Sequence, residues 1–167
     1  TDKLEPLWQG ERPELDSTVF RLLARYQAAQ GGVGAGAGGN QCAIPPAVFD
    51  ALDTHFKVEG ECFASPFNTY LGVYWSRFPE IEKLFGSRGS FFTADFKSGS
   101  FEANPPFCPQ LVKRMLQRME HLLEEADKHH RPLQFVVIVP TWRGRQAADA
   151  AETWEQLNRS SFKKGYL

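Results

Sequence analysis

Four consecutive residues, Asn104-Pro105-Pro106-Phe107, combine hydrogen-bond acceptors, rigidity and an aromatic face in one short loop. The Asn104 side-chain oxygen and the Pro105 carbonyl both accept hydrogen bonds, while the two prolines fix φ and bring no competing N–H donors. Phe107 offers a flat face for stacking. This set suits an amino group conjugated to a ring or an amide, whose lone pair is delocalised. Acceptors around the NH2 draw that lone pair out and make the nitrogen a better nucleophile. The plainer reading of the same residues is a tight Pro-Pro turn after a strand.

The flanking pattern indicates what holds this loop. Phe91 to Phe96 and Phe101 to Ala103 read as strand segments around a Ser98-Gly99 turn, and the second runs directly into Asn104. From Pro109 to Asp127, Leu111, Met115, Leu116, Met119, Leu122 and Leu123 share one helical face, with Lys113, Gln117, Glu120 and Glu124 on the other. Pro109 suits a first helical turn. After His129-His130-Arg131-Pro132, the apolar run Leu133 to Val139 is that expected of a parallel strand buried on both faces. Strand, loop, helix and strand predict a βαβ unit, with the loop at the carboxyl end of its strand, where open α/β sheets bind ligands.

Upstream, the period predicts a helix from Leu15 to Ala29 and another opening at Pro45-Pro46, with Val48, Leu52 and Phe56 as its apolar face. A strand at Glu59 to Ala64, a turn at Ser65-Pro66-Phe67-Asn68 and an aromatic-rich helix from Thr69 to Phe85 should follow. Residues 31–39 are mostly glycine and read as a flexible insert, since they lack the Gly-Lys-Ser/Thr ending of a phosphate loop.

The 167 residues, 42% hydrophobic and 13% aromatic, suffice for one core. Residues 1–14 read as a polar leading segment and 15–167 as one domain. Nineteen Lys+Arg against 20 Asp+Glu leave a net charge of −1, so any nucleic-acid contact needs a local basic patch. No run approaches the roughly 18 apolar residues of a membrane span, and the N-terminus is not signal-like. A soluble, intracellular protein without a membrane partner is expected. Cys42, Cys62 and Cys108 are odd in number and lack C-x-x-C or His-paired spacing, which argues against a disulfide framework and against a metal site.

The tetrapeptide is similar to the active-site motif of S-adenosylmethionine enzymes that methylate conjugated amino groups, on DNA, RNA or protein glutamine. Around it, Glu61 to Asn68, Phe85 to Gly89 and Ser98 to Phe107 resemble the phosphorylated-CTD-interacting factor family, the cap-specific mRNA adenosine N6-methyltransferases. The resemblance continues through Pro140-Thr141-Trp142-Arg143 and Ser160 to Lys164, from Leu15 to the end of the chain. It implies a Rossmann-like α/β methyltransferase sheet, S-adenosylmethionine as cofactor, capped mRNA as substrate and a nuclear location. By the same resemblance Asn104, Pro105, Pro106 and Phe107 are the catalytic motif, and Ala64, Ser65, Pro66 and Asn68 lie at the cofactor end of the sheet. Arg88, between two glycines, is a candidate for a phosphate or the cofactor carboxylate, and Trp142 for stacking on a base or cap. Arg143 and Arg145, with Lys163 and Lys164, are candidates for the basic patch.

Two departures qualify what the resemblance implies. Family members carry a WW domain that reads the phosphorylated polymerase tail, and no pair of spaced tryptophans with a terminal proline is present, so tail binding is not expected. The family's sheet also continues with further strands, whereas this chain stops at Leu167. A sheet truncated at its C-terminus is expected, which keeps open a non-catalytic RNA- or protein-binding module with the methyltransferase fold.

Overall fold

The computed structural model describes residues 3–29, 43–140 and 145–165, apart from the side chains of residues 145–147 and 149. The glycine-rich insert, Cys42, Trp142 and Arg143 lie outside the described residues, as does the side chain of Arg145.

At the centre is β2, Gly99–Ala103, paired in parallel with β1, Gly60–Glu61, on one side and β3, Leu133–Val137, on the other. The β2–β3 register runs from Gly99 opposite Leu133 to Ala103 opposite Val137, and the Ile138 N–H extends it by donating to the Ala103 carbonyl. Gly99 opens β2 at φ +117°, where a side chain would meet the Glu59 carboxylate and the Phe101 ring. The crossover is α4, Pro109–Lys128. Its proline occupies the first turn, where a missing N–H costs nothing, and Val112, Met115, Leu116, Met119 and Leu122 are buried on its core face. The expected βαβ unit is present.

Aromatic rings fill the space beneath this unit. Trp75, Phe91, Phe96, Phe101 and Phe135 pack with ring centroids 4.4 to 6.2 Å apart, mostly tilted or edge-on. On the opposite face Val136 joins Leu52 and Val58, below α2, Pro46–Phe56. The buried residues of α2 are Phe49 and Leu52, whereas Val48, expected on that face, is exposed. Lys57 ends α2 in the left-handed region at φ 53° and caps it with its own N–H, a role usually filled by glycine. A third cluster packs Leu15 and Leu22 of α1, Leu15–Ala29, against Leu4, Ile81 and Phe85.

Several expected elements differ. Thr69 to Phe85 is not one helix: Val73 to Trp75 is extended and runs parallel beside Glu61, which accepts from the Trp75 N–H and donates to the Val73 carbonyl. Gly72, at φ 74°, and the Val-Tyr-Trp run favour this over a helix. Helix reappears only in α3, Pro79–Glu82, and the 3-10 turn Lys83–Phe85. Phe91 to Phe96 is not a strand: Phe91 to Thr93 form a turn, with the Ser90 carbonyl accepting from the Thr93 and Ala94 N–H groups, and Phe96 follows in an irregular stretch. The apolar run of β3 is only half-buried apart from Val136, and Gln134 is exposed. Helix α5, Arg145–Arg159, to which the sequence reading assigns nothing, packs on α4 through Ala150 and Thr153 and a Lys113–Glu152 ion pair of 2.5 Å.

The described residues therefore form a mixed α/β structure around a small parallel sheet. None of its helices is long and apolar enough to cross a membrane.

Candidate active site

Asn104 to Phe107 leave the carboxyl end of β2 and, with Ala64, Ser65 and Asn68, line a cleft of about 510 Å³. Two sequence segments nearly forty residues apart thus meet because β1 and β2 are parallel neighbours ending at the same edge. Phe63, Phe91 and Phe92 supply aromatic wall, and Tyr26, Ser76, Arg77 and Ser90 supply polar groups.

The two segments differ in how their polar atoms are used. Asn104 Oδ1 is buried and has no hydrogen-bond partner among the described residues. An orphan acceptor in a cleft wall costs stability unless something supplies a donor. Phe107 is 45% exposed beside it, and Pro105 is buried. The Pro106 carbonyl accepts from the Cys108 N–H at 2.7 Å, closing the loop onto the start of α4. In the other segment, Asn68 Oδ1 accepts from the Ser65 N–H at 2.7 Å and the Ser65 hydroxyl at 2.9 Å, so that oxygen fixes the turn. Pro66 is fully buried and stands behind the wall. Arg88 is exposed and off the cleft, with its N–H on the Tyr74 carbonyl at 2.8 Å.

Three carboxylates behind the cleft were not assigned firm roles from sequence. Glu61 Oε1 accepts from the Thr69 hydroxyl at 2.6 Å and the Tyr70 and Leu71 N–H groups at 2.8 and 2.9 Å, tying the end of β1 to the chain leaving the Ser65–Asn68 turn. Glu82 accepts from the Phe78 N–H at 2.6 Å and from the hydroxyl of Tyr26, a cleft residue, at 2.8 Å. Burial pushes its carboxyl above the usual range, and those bonds partly offset the shift. Glu102 is buried on β2 with Oε1 unpartnered. Burial, then the nearby Glu61 charge, push its carboxyl up to about 8, and burial with the Glu102 charge likewise raises the neighbouring Cys62 thiol.

Glu61→Ala is expected to destabilise the fold by about 1–3 kcal/mol, because it strands buried donors. Urea denaturation should show a lower midpoint, with Glu61→Gln recovering part of it. An unchanged midpoint in the alanine variant would show that water replaces the carboxylate.

Comparison with known proteins gives this geometry a family. The model described as phosphorylated CTD interacting factor 1 WW domain matches residues 5–167. A Homo sapiens protein named mRNA (2'-O-methyladenosine-N(6)-)-methyltransferase is 48% identical over 150 residues, which cover 89% of this chain and 20% of that relative. Its Mus musculus counterpart of the same name is 47% identical over the same shares. The chain spans about a fifth of the length of the curated relatives it matches. The family match overturns the expectation that a WW domain is absent and that polymerase-tail binding is thereby excluded. That expectation relied on a pair of spaced tryptophans with a terminal proline, a criterion the family match does not require. With the match extending over nearly all of its residues, the chain belongs to the phosphorylated CTD interacting factor 1 family.

Proposed function

We propose that this chain carries the acceptor-amine site of an S-adenosylmethionine-dependent RNA methyltransferase, acting on N6 of the cap-proximal adenosine of nuclear mRNA, on a Rossmann-like sheet. The observation that carries the reading is the buried, unpartnered Asn104 Oδ1 in a cleft wall beside the exposed Phe107 ring. Support for the fold comes from the parallel βαβ unit, with the motif at the carboxyl end of its middle strand. Support for the chemistry comes from the name of the two relatives.

The residues present fit the cofactor in chemistry. The cleft volume falls in the usual range for small-molecule sites, and its lining mixes aromatic faces with a few polar groups. Ala64, Ser65 and Asn68, with Pro66 holding their turn, would border the cofactor. S-adenosylmethionine supplies an electrophilic methyl group when bound.

The chain's own residues do the rest. Asn104 Oδ1 and the Pro105 carbonyl accept hydrogen bonds from the two N6–H groups, which keeps the lone pair out of the ring and aims it. Phe107 stacks on the adenine and fixes its plane, so proximity and orientation provide much of the acceleration. No strong general base is required, because the methylated nitrogen is acidic enough to release a proton to water. A cap-proximal nucleotide is single-stranded, so no duplex must be opened.

Assay of the purified protein with labelled S-adenosylmethionine, on capped and uncapped RNAs beginning with adenosine, tests the reading. Transfer to N6 of the capped RNA is expected. Cofactor and RNA binding without transfer would favour the non-catalytic module instead. Phe107→Ala should weaken RNA binding by about 1–3 kcal/mol, the usual contribution of base–aromatic stacking. Phe107→Tyr should bind more tightly than the alanine variant, and equal affinity in the two would show that the ring does not hold the base.

A further inference from the structure

We propose that Arg77 and Arg114 form a two-point phosphate clamp for the RNA strand at the mouth of the cleft, an inference that rests on the RNA methyltransferase reading. Arg77 is the one charged side chain among the described residues lining the cleft, although the chain contains 20 Asp+Glu. An acid-free wall with a single guanidinium attracts anions locally, which a protein of net charge −1 does not do as a whole.

The second point lies on α4. Arg114 follows cleft-lining Leu111 by one helical turn and places its guanidinium 4.9 Å over the ring of Phe92, itself a cleft residue. Arg77 is held in the same manner, 5.4 Å over the Phe78 ring. Neither is ion-paired among the described residues, whereas Arg25, which lies over the same Phe78 ring at 5.7 Å, is matched with Glu80. A guanidinium resting on an aromatic face is pre-organised and keeps its N–H edge available for phosphate oxygens. Arg114 stands outside the cleft lining, by Phe92. Two cations, one on α4 and one on the chain leading into α3, suit the repeating phosphates of a strand, while the single carboxylate of a cofactor would engage one.

The test is equilibrium binding of a short capped RNA beginning with adenosine to the purified protein, from about 50 to about 200 mM salt. Arg77→Gln and Arg114→Gln are each expected to reduce the slope of log affinity against log salt by about 0.7, and the double variant by about 1.4, the single-strand value per phosphate. Arg77→Lys and Arg114→Lys should keep the slope. Calorimetric affinity for S-adenosylmethionine should be unchanged, which also shows that each variant is folded. An unchanged slope in the double variant would overturn the clamp, as would loss of cofactor affinity in Arg77→Gln, which assigns that guanidinium to the cofactor carboxylate. Asn104→Ala in the same titration should bind RNA with the wild-type slope but fail to methylate it. Full transfer by that variant would remove Asn104 from the chemistry without touching the clamp, whereas RNA binding with no transfer by the wild-type protein would sink the methyltransferase reading and leave the clamp standing.

Discussion

Asn104→Ala is expected to lower the single-turnover rate of methyl transfer by about a hundredfold or more, comparable to the loss of one preorganised group in other sites. The residue's local bonding makes this a sharp test. Asn104 Oδ1 receives no hydrogen bond from any described residue, so its removal strands no protein donor and takes away a buried acceptor that costs stability. The urea midpoint should therefore stay level or rise while the rate collapses. A structural asparagine would behave oppositely, losing stability first and rate only as a consequence. Near-wild-type turnover in the variant would remove Asn104 from the chemistry.

The segments that carry strong local signals were legible. The amphipathic run with Pro109 in its first turn becomes α4, and the apolar run after it becomes the parallel partner of β2. The meeting of Asn104–Phe107 with the Ala64–Asn68 turn in one cleft depends on the further parallel pairing of β1 with β2, and only the family resemblance pointed to it. Where local signals conflicted, tertiary context decided. The aromatic residues of 69–85 fit a helical stripe on paper, yet Val73 to Trp75 gain more by pairing beside Glu61 and packing Trp75 on Phe96 and Phe101. Phe91 and Phe96 look like strand residues because they are core residues, but a turn at Phe91–Thr93 and the irregular stretch after it insert the two rings. Helix α5 is spaced legibly at Ala150, Thr153, Trp154 and Leu157, although its low apolar content hides the pattern. Arg77 was invisible as a cleft residue, since a helical reading of its segment gives no reason to place it there.

Glu102→Gln should reshape the pH dependence of stability more than any other single change at the sheet. With its folded-state carboxyl pushed up to about 8 by burial and then by Glu61, Glu102 keeps its proton in the fold while the unfolded chain releases it above about 4.5. Its contribution to stability is thus fully present below pH 4.5 and declines as pH rises to about 8. The full span corresponds to at most about 5 kcal/mol. Glutamine has nearly the same shape and no proton to lose. Relative to wild type, the variant should be level near pH 4.5 and gain several kcal/mol by pH 8.5, measured as the difference in urea stability at each pH. Taking the difference between the two proteins removes the parallel contribution of Glu82, whose carboxyl is raised in the same direction. Because Cys62 sits next to Glu102 and lines the cleft, the charge that forms there above pH 8 also borders the proposed site. A difference that stays flat with pH would mean that the unpartnered Oε1 is hydrated and ionises as an ordinary carboxylate.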